Sequence, residues 1–304
     1  MIGAVNPWAF QLHPEVWILV AGLLSSYVYM VRRVGPAAVP VGGHVVSRRN
    51  VMSAVAAFAL LWLASDWPIH DVGENYLYSV HMVQHMILSY FMPPLLLLAI
   101  PEWMARLLVG RGRTYGVVRW LTRPVAAAVI FNLVVMVTHV PGVVNHSVEN
   151  GPLHYALHTL LVLTSLLMWM PVCGPLPELR LTSGAKMIYL FAQSIVPTVP
   201  AGWLTFAEGA VYKAYTKAPV RVWGLSVTDD QQLAGVIMKI GGSVFLWTTV
   251  VVMFFSRFAK NWDDDNSYRR RIPDAEVVGH DDETLTFDEV QRAFERTPAP
   301  AESE

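Results

Sequence analysis

"YSVHMVQHMILSYFMPPLLLLAIPEW", residues 78–103, decides the fold. Residues 78–100 contain no Asp, Glu, Lys or Arg, and about 20 apolar residues are enough to cross roughly 30 Å of hydrocarbon as a helix. The same stretch carries two histidines, His81 and His85, and the pair Pro93–Pro94. Residues four apart are stacked neighbours on a helix, so the two imidazoles share one face. At about 1.5 Å of rise per residue, His85 lies roughly 10 Å below the start of its span. Prolines donate no backbone hydrogen bond, so the carbonyls near Ser89 and Tyr90 must be satisfied from elsewhere in the protein. A broken helix lining a cavity and an ordinary membrane proline both fit this pattern. Pro197 and Pro200 repeat it in "SIVPTVPAGW".

Outward from this stretch, low-charge apolar runs fall near 15–32, 51–67, 78–100, 124–140, 154–172, 186–207 and 231–257. They predict an all-α polytopic membrane protein, a bundle of seven transmembrane helices. The composition agrees. Of 304 residues, 54% are hydrophobic and 15% charged, with a mean hydropathy of +0.41, against about 25% charged in ordinary soluble domains. No Lys or Arg precedes the first apolar run, so the run lacks the basic start of a secretory signal and reads as a retained span. Arg32, Arg33, Arg48 and Arg49 follow the first span, Arg106 to Arg123 the third, Arg180 and Lys186 the fifth, and Arg257 and Lys260 the seventh. The loops "DWPIHDVGENY" and "PGVVNHSVENGP" contain no Lys or Arg. By the positive-inside rule the chain is N-outside and C-inside. Lys213, Lys217 and Arg221, between the sixth and seventh spans, dilute the pattern. Residues 1–258 make the membrane domain. Residues 259–304, with six basic residues against thirteen acidic ones, read as a charged, largely disordered cytoplasmic tail. Within it "TLTFDEVQRAFER" allows one short amphipathic helix, either a solvated element or a docking helix. The net charge of -1 and the absence of a basic stripe with interleaved aromatics exclude nucleic acid as a partner. The membrane lipid is the expected surroundings.

On this topology eight of the ten histidines, all but His44 and His280, fall at outer helix ends or in outer loops. His154 and His158 open the fifth span at the spacing of His81 and His85, and the fourth span ends at His139. Ionisable groups at membrane depth face the bundle interior or a water-filled cavity. Two i, i+4 pairs from different helices can close a metal site inside a bundle, and neutral imidazole is the commonest metal ligand. Met82, Met86 and Met136 lie at similar depth, and thioether sulfur favours Cu(I). The alternative is that the imidazoles bond one another or backbone carbonyls. A lone cysteine, Cys173, forms no intramolecular disulfide, and it falls at the opposite end of the fifth span. Asp66, Asp71 and Glu74 could draw a cation to the mouth; the simpler expectation is that they only solvate their loop.

"HMVQHMILSYFMPPLLLLAIP" resembles the signature of the CtaG-like, caa-type cytochrome c oxidase assembly factors, seven-span bacterial membrane proteins. "HVPGVVNHSVENGPLHYALHTLLVLTSLLMWMPVCGP" and "DQQLAGVIMKIGG" extend the resemblance over about residues 10 to 258. It implies a role in maturing the copper centres of a haem-copper oxidase in the bacterial cytoplasmic membrane. The polar positions it implies are His81, Gln84, His85, His139, His154 and His158, then Asp230 and Gln231 at the seventh span. Lys239 and the proline-free "KIGG" depart from the family pattern and leave the inner half of that span undefined.

The reading that follows is a non-enzyme that binds Cu(I) near its outer face and helps copper insertion into a haem-copper oxidase. His81, His85, His154 and His158 are its expected ligands, with His139 and Met86 as auxiliaries. Gln84, Asp230 and Gln231 are expected to orient them. The partners would be oxidase subunit I or II and an extracytoplasmic copper chaperone. A haem-b-binding bundle, with His85 and His158 axial, and a copper transporter are the alternatives. A retinal pocket at Lys239, with Asp66 as counter-ion, lacks any other mark of a polyene site. No nucleophile–base pair or phosphate-cradling loop stands out.

Overall fold

In hydrocarbon no water is at hand for an exposed N–H or C=O, so each apolar run closes its own hydrogen bonds as a helix. A computed structural model describes residues 6–271 and 287–296, and among them there is no strand. In chain order the helices are α1 (Pro14–Ala38), α2 (Arg48–Ser65), the short α3 (Ile69–Asn75), α4 (Tyr78–Ala99), α5 (Glu102–Val109), α6 (Arg113–Leu121), α7 (Pro124–Thr138), α8 (Pro141–Val148), α9 (Gly151–Cys173), α10 (Ser183–Gln193) and α11 (Thr198–Thr205). α12 begins at Val227 and runs through a π-turn at Ile237–Gly241 into Gly242–Arg271, and α13 is Phe287–Arg296. Among the described residues six stretches are long and apolar enough to cross a membrane: α1, α2 with α3, α4, α9, α10 with α11, and α12. The pair α6 and α7, bent by 68°, passes the same test together and brings the number to seven when counted as one broken span. The bend has a local cause, since the residue before a proline avoids the helical region and Arg123 before Pro124 is accordingly extended.

This is a multi-pass membrane protein. Ile18, Val125, Leu133, Ile188, Val199 and Val244 are exposed on the spans, where lipid would cover them. α4 is the most buried span and packs against α2, α9 and α12, while α7 lies against α9 and α10. Around Pro93 and Pro94 α4 widens into a π-turn at Ile87–Phe91. The carbonyl freed there is satisfied across the bundle, because Trp169 Nε1 in α9 donates to Ser89 O at 3.0 Å.

The compact unit Met1–Phe254 ends inside α12, and the second unit, Phe255–Glu304, holds the rest of α12 and α13. Residues 259–271, expected in the disordered tail, are helical. The amphipathic helix forms at Phe287–Arg296 with Phe287 and Val290 exposed. The remaining tail, 272–286 and 297–304, lies outside the described residues.

The histidine-bearing end differs most from expectation. "DWPIHDVGENY" is no solvated loop: its centre is α3, and Asp66, His70 and Asp71 are buried. Gly73 makes this possible, since a Cβ there would sit 2.9 Å from the backbone nitrogen of His81. The loop between α11 and α12 is likewise an ordered cap, with Tyr212, Tyr215 and Val222 buried. Two of its basic residues are consumed locally. Lys217 pairs with Glu149, whose carboxyl it holds below the usual range, and Arg221 donates to the carbonyls of Tyr215 and Thr216.

Candidate metal centre

The i, i+4 pairs of α4 and α9 form as helix geometry dictates, with ring centroids 4.4 Å apart in both His81–His85 and His154–His158. The packing of α4 on α9 then brings the pairs together: His85 to His158 is 4.9 Å, His81 to His158 5.3 Å and His81 to His154 5.5 Å. His139, at the end of α7, adds a fifth ring 6.1 Å from His85. These imidazoles do not bond one another. His81 Nδ1, His85 Nε2, His139 Nε2, His154 Nε2 and His158 Nε2 are all buried without a hydrogen-bond partner among the described residues. A buried polar group left unsatisfied costs about 1–3 kcal/mol. These nitrogens, on α4, α7 and α9, leave lone pairs or N–H groups available to a ligand.

One donor atom from each of His81, His85 and His158 lies within 4.8 Å of the others. Ligands about 2.0–2.1 Å from a tetrahedral ion stand roughly 3.4 Å apart, so one ion would draw the three donors closer together. His139 is held differently. Its Nδ1 donates to Val135 O at 2.6 Å, which fixes the tautomer and leaves Nε2 as the acceptor lone pair. Met86 and Met82 line a small cavity below, shared with His85, His139, Phe131 and Met238.

His154 falls with a different set. It groups with His70 and Glu74 of α3, again within 4.8 Å. His70 Nε2 donates to Glu74 Oε2 at 2.9 Å, and His154 Nε2 stands 4.0 Å from Glu74 Oε1, too far for a hydrogen bond. Gln84, expected beside the ligands, points into this second group, its Nε2 donating to His70 Nδ1 at 3.2 Å. His13 bonds Asp71 at 3.1 Å and packs edge-on to His70. Burial pulls the His13 imidazole down, but the carboxylates of Asp71 and Glu15 outweigh it and raise it above its usual value.

Asp230 and Gln231 meet backbone, not imidazole. Asp230 accepts from Tyr78 N at 2.7 Å and from the backbone and hydroxyl of Ser79, so it caps the start of α4. Gln231 clasps the cap loop through Val211 N, Tyr212 N and Tyr212 O. That loop closes over the site: Tyr212 Oη donates to His139 O and Tyr215 Oη to Gly73 O, each at 3.0 Å, and Tyr78 stacks beside His81. Lys239 donates to Thr198 Oγ1 across α11 and α12. Cys173 sits on α9 beside the carbonyls of Trp169 and Pro94.

Sequence reasoning missed His70 and Glu74 as partners of the centre, although their i, i+4 spacing in "IHDVGE" matches that of the other pairs. It also missed the tyrosines of the cap, which no local pattern marks. A family model described as cytochrome c oxidase caa3 assembly factor (Caa3_CtaG) matches residues 25–260. No curated protein matches the chain, and no solved structure does.

Proposed function

The chain belongs to the cytochrome c oxidase caa3 assembly factor family, and from that premise we propose that it is a copper-donating assembly factor that carries Cu(I) as cargo on His81, His85 and His158. The observation that carries this reading is the set of buried imidazole nitrogens without partners at the end of α4 and α9. Imidazole and thioether donors in a water-poor pocket suit Cu(I). His139 and Met86 flank the ligands on the inner side, and His154 stands one turn before His158 on α9. The positive-inside pattern puts this end at the outer face of the bacterial cytoplasmic membrane, where an oxidase subunit I or II would receive the ion and an extracytoplasmic chaperone would deliver it. Assembly of this kind involves no bond-making chemistry beyond ligand exchange, and the role is not enzymatic.

The rival haem reading fares worse on geometry. His85 and His158 contact edge to face with centroids 4.9 Å apart, so axial ligation of one haem would require the two rings to separate and turn, whereas a single ion needs only a small closure.

The test is titration of the detergent-purified chain with Cu(I) against a colorimetric chelator, with an absorption spectrum of the same sample. Wild type is expected to hold Cu(I) and to show no Soret band. His85→Ala and His158→Ala should each lose most of the bound ion, and the double variant should lose little more because both act on one site. Cys173→Ser should bind as wild type does. Copper retained in both histidine variants but lost with Cys173 would refute the reading.

A further inference from the structure

We propose that His70, Glu74 and His154, on α3 and the first turn of α9, form a second metal site beside His81, His85 and His158, and that it takes a divalent first-row cation such as Zn(II) or Cu(II). The proposal goes beyond the Cu(I) reading and stands whether or not that reading holds. Three observations carry it. The donor atoms already lie within 4.8 Å of one another. His154 is 3% exposed, and its partnerless Nε2 faces Glu74 from 4.0 Å. That separation is too long for a hydrogen bond but close to the roughly 3.4 Å between two ligands of one tetrahedral ion.

The third observation is Gln84. As placed, its Nε2 donates to His70 Nδ1 while its Oε1 is buried without a partner. The two ends of an amide are nearly isosteric. Turned by half a rotation, Oε1 accepts from His70 Nδ1–H, and His70 Nε2 becomes the lone pair that faces Glu74. A metal-bound histidine commonly has this arrangement, its second N–H held by an oxygen. Asp71, bonded to His13, supplies further negative charge beside His70.

Donor chemistry separates this site from the deeper one. A carboxylate with two imidazoles suits a borderline divalent cation, and its charge offsets part of the ion's. Access differs too. Glu74 borders a cavity of about 410 Å³, lined also by Gln11, Asn75, Glu149, Tyr215 and Lys217, so one ligand of the set is reached from the surface.

The experiment is Zn(II) titration of the purified full chain, read as equivalents bound by elemental analysis after desalting, beside the Cu(I) titration. Glu74→Gln and His70→Gln are expected to lose one Zn(II) equivalent relative to wild type while binding Cu(I) as wild type does. His85→Ala should keep the equivalent that depends on Glu74. Melting temperatures of the variants serve as the control for folding. Unchanged Zn(II) stoichiometry in both Glu74→Gln and His70→Gln would overturn the proposal. Simultaneous loss of Cu(I) in well-folded variants would also overturn it, since the two groups would then be one site. Failure of the Cu(I) reading with a Glu74-dependent Zn(II) equivalent intact leaves this site standing.

Discussion

Replacing Asp230 with Ala removes the acceptor for three donors at the start of α4, the N–H groups of Tyr78 and Ser79 and the hydroxyl of Ser79. Asp230 is 2% exposed, so in the native protein these donors rely on the carboxylate rather than on bulk water. Hydrogen bonds to a charged acceptor contribute about 1.5–3 kcal/mol each, and the losses at one site do not add in full, so the expected cost is about 3–5 kcal/mol. Repulsion between an anion and a helix start plays no part, because the positive end of the macrodipole favours the carboxylate there. At roughly 2–4 °C per kcal/mol for a domain of this size, the melting temperature should fall by about 6–20 °C. Asn retains one acceptor oxygen and should cost less, and Ser79→Ala, which removes one bond, about 1.5–3 kcal/mol. Thermal denaturation in detergent, followed by intrinsic fluorescence, measures the series. Because the capped turn carries His81 and leads to His85, Asp230→Ala should also weaken Cu(I) binding in protein that remains folded. A melting temperature for Asp230→Ala within about 2 °C of wild type would refute the capping argument.

Cysteine labelling in intact cells tests the orientation: His146→Cys, exposed in α8, should react with an impermeant reagent, and Thr114→Cys in α6 should not. Trp169→Phe leaves Ser89 O without its partner beside the Pro93–Pro94 break and should cost about 1–3 kcal/mol, read as a lower melting temperature. The His13–Asp71 pair gives a pH signature. A folded pKa raised above the unfolded value makes its contribution complete below about pH 6.5 and loses it as pH rises through the folded pKa. The melting-temperature gap between wild type and His13→Ala should therefore be widest below about pH 6.5 and narrow as the pH rises through the folded pKa.

What depends on residues close in the chain was legible in the sequence. The length of an apolar run against the bilayer thickness gave the spans. The 3.6-residue turn put His81 with His85 and His154 with His158, and the pairs do share faces as a helix requires. The prolines announced carbonyls in need of a partner, though not that an indole from α9 would supply it. The resemblance in the third span pointed to the family that the chain belongs to.

What depends on packing was decided only by the tertiary structure. Asp230 reaches Tyr78 across 152 positions of chain, so its work as a cap on α4 left no local trace. His154 looked like one of four equivalent ligands by spacing alone. The folding of α3 against α4, allowed by the missing Cβ of Gly73, brings His70 and Glu74 beside it as well. The same docking buries Asp66 and Asp71, which in an isolated loop would have stayed in water. Lys213, Lys217 and Arg221 blurred the charge pattern because topology rules count charges, whereas the fold spends Lys217 and Arg221 on Glu149 and on backbone carbonyls of the cap. Helical periodicity acts over four residues and is written in the sequence; which helix faces which is settled by close packing between distant segments, and there the site is assembled.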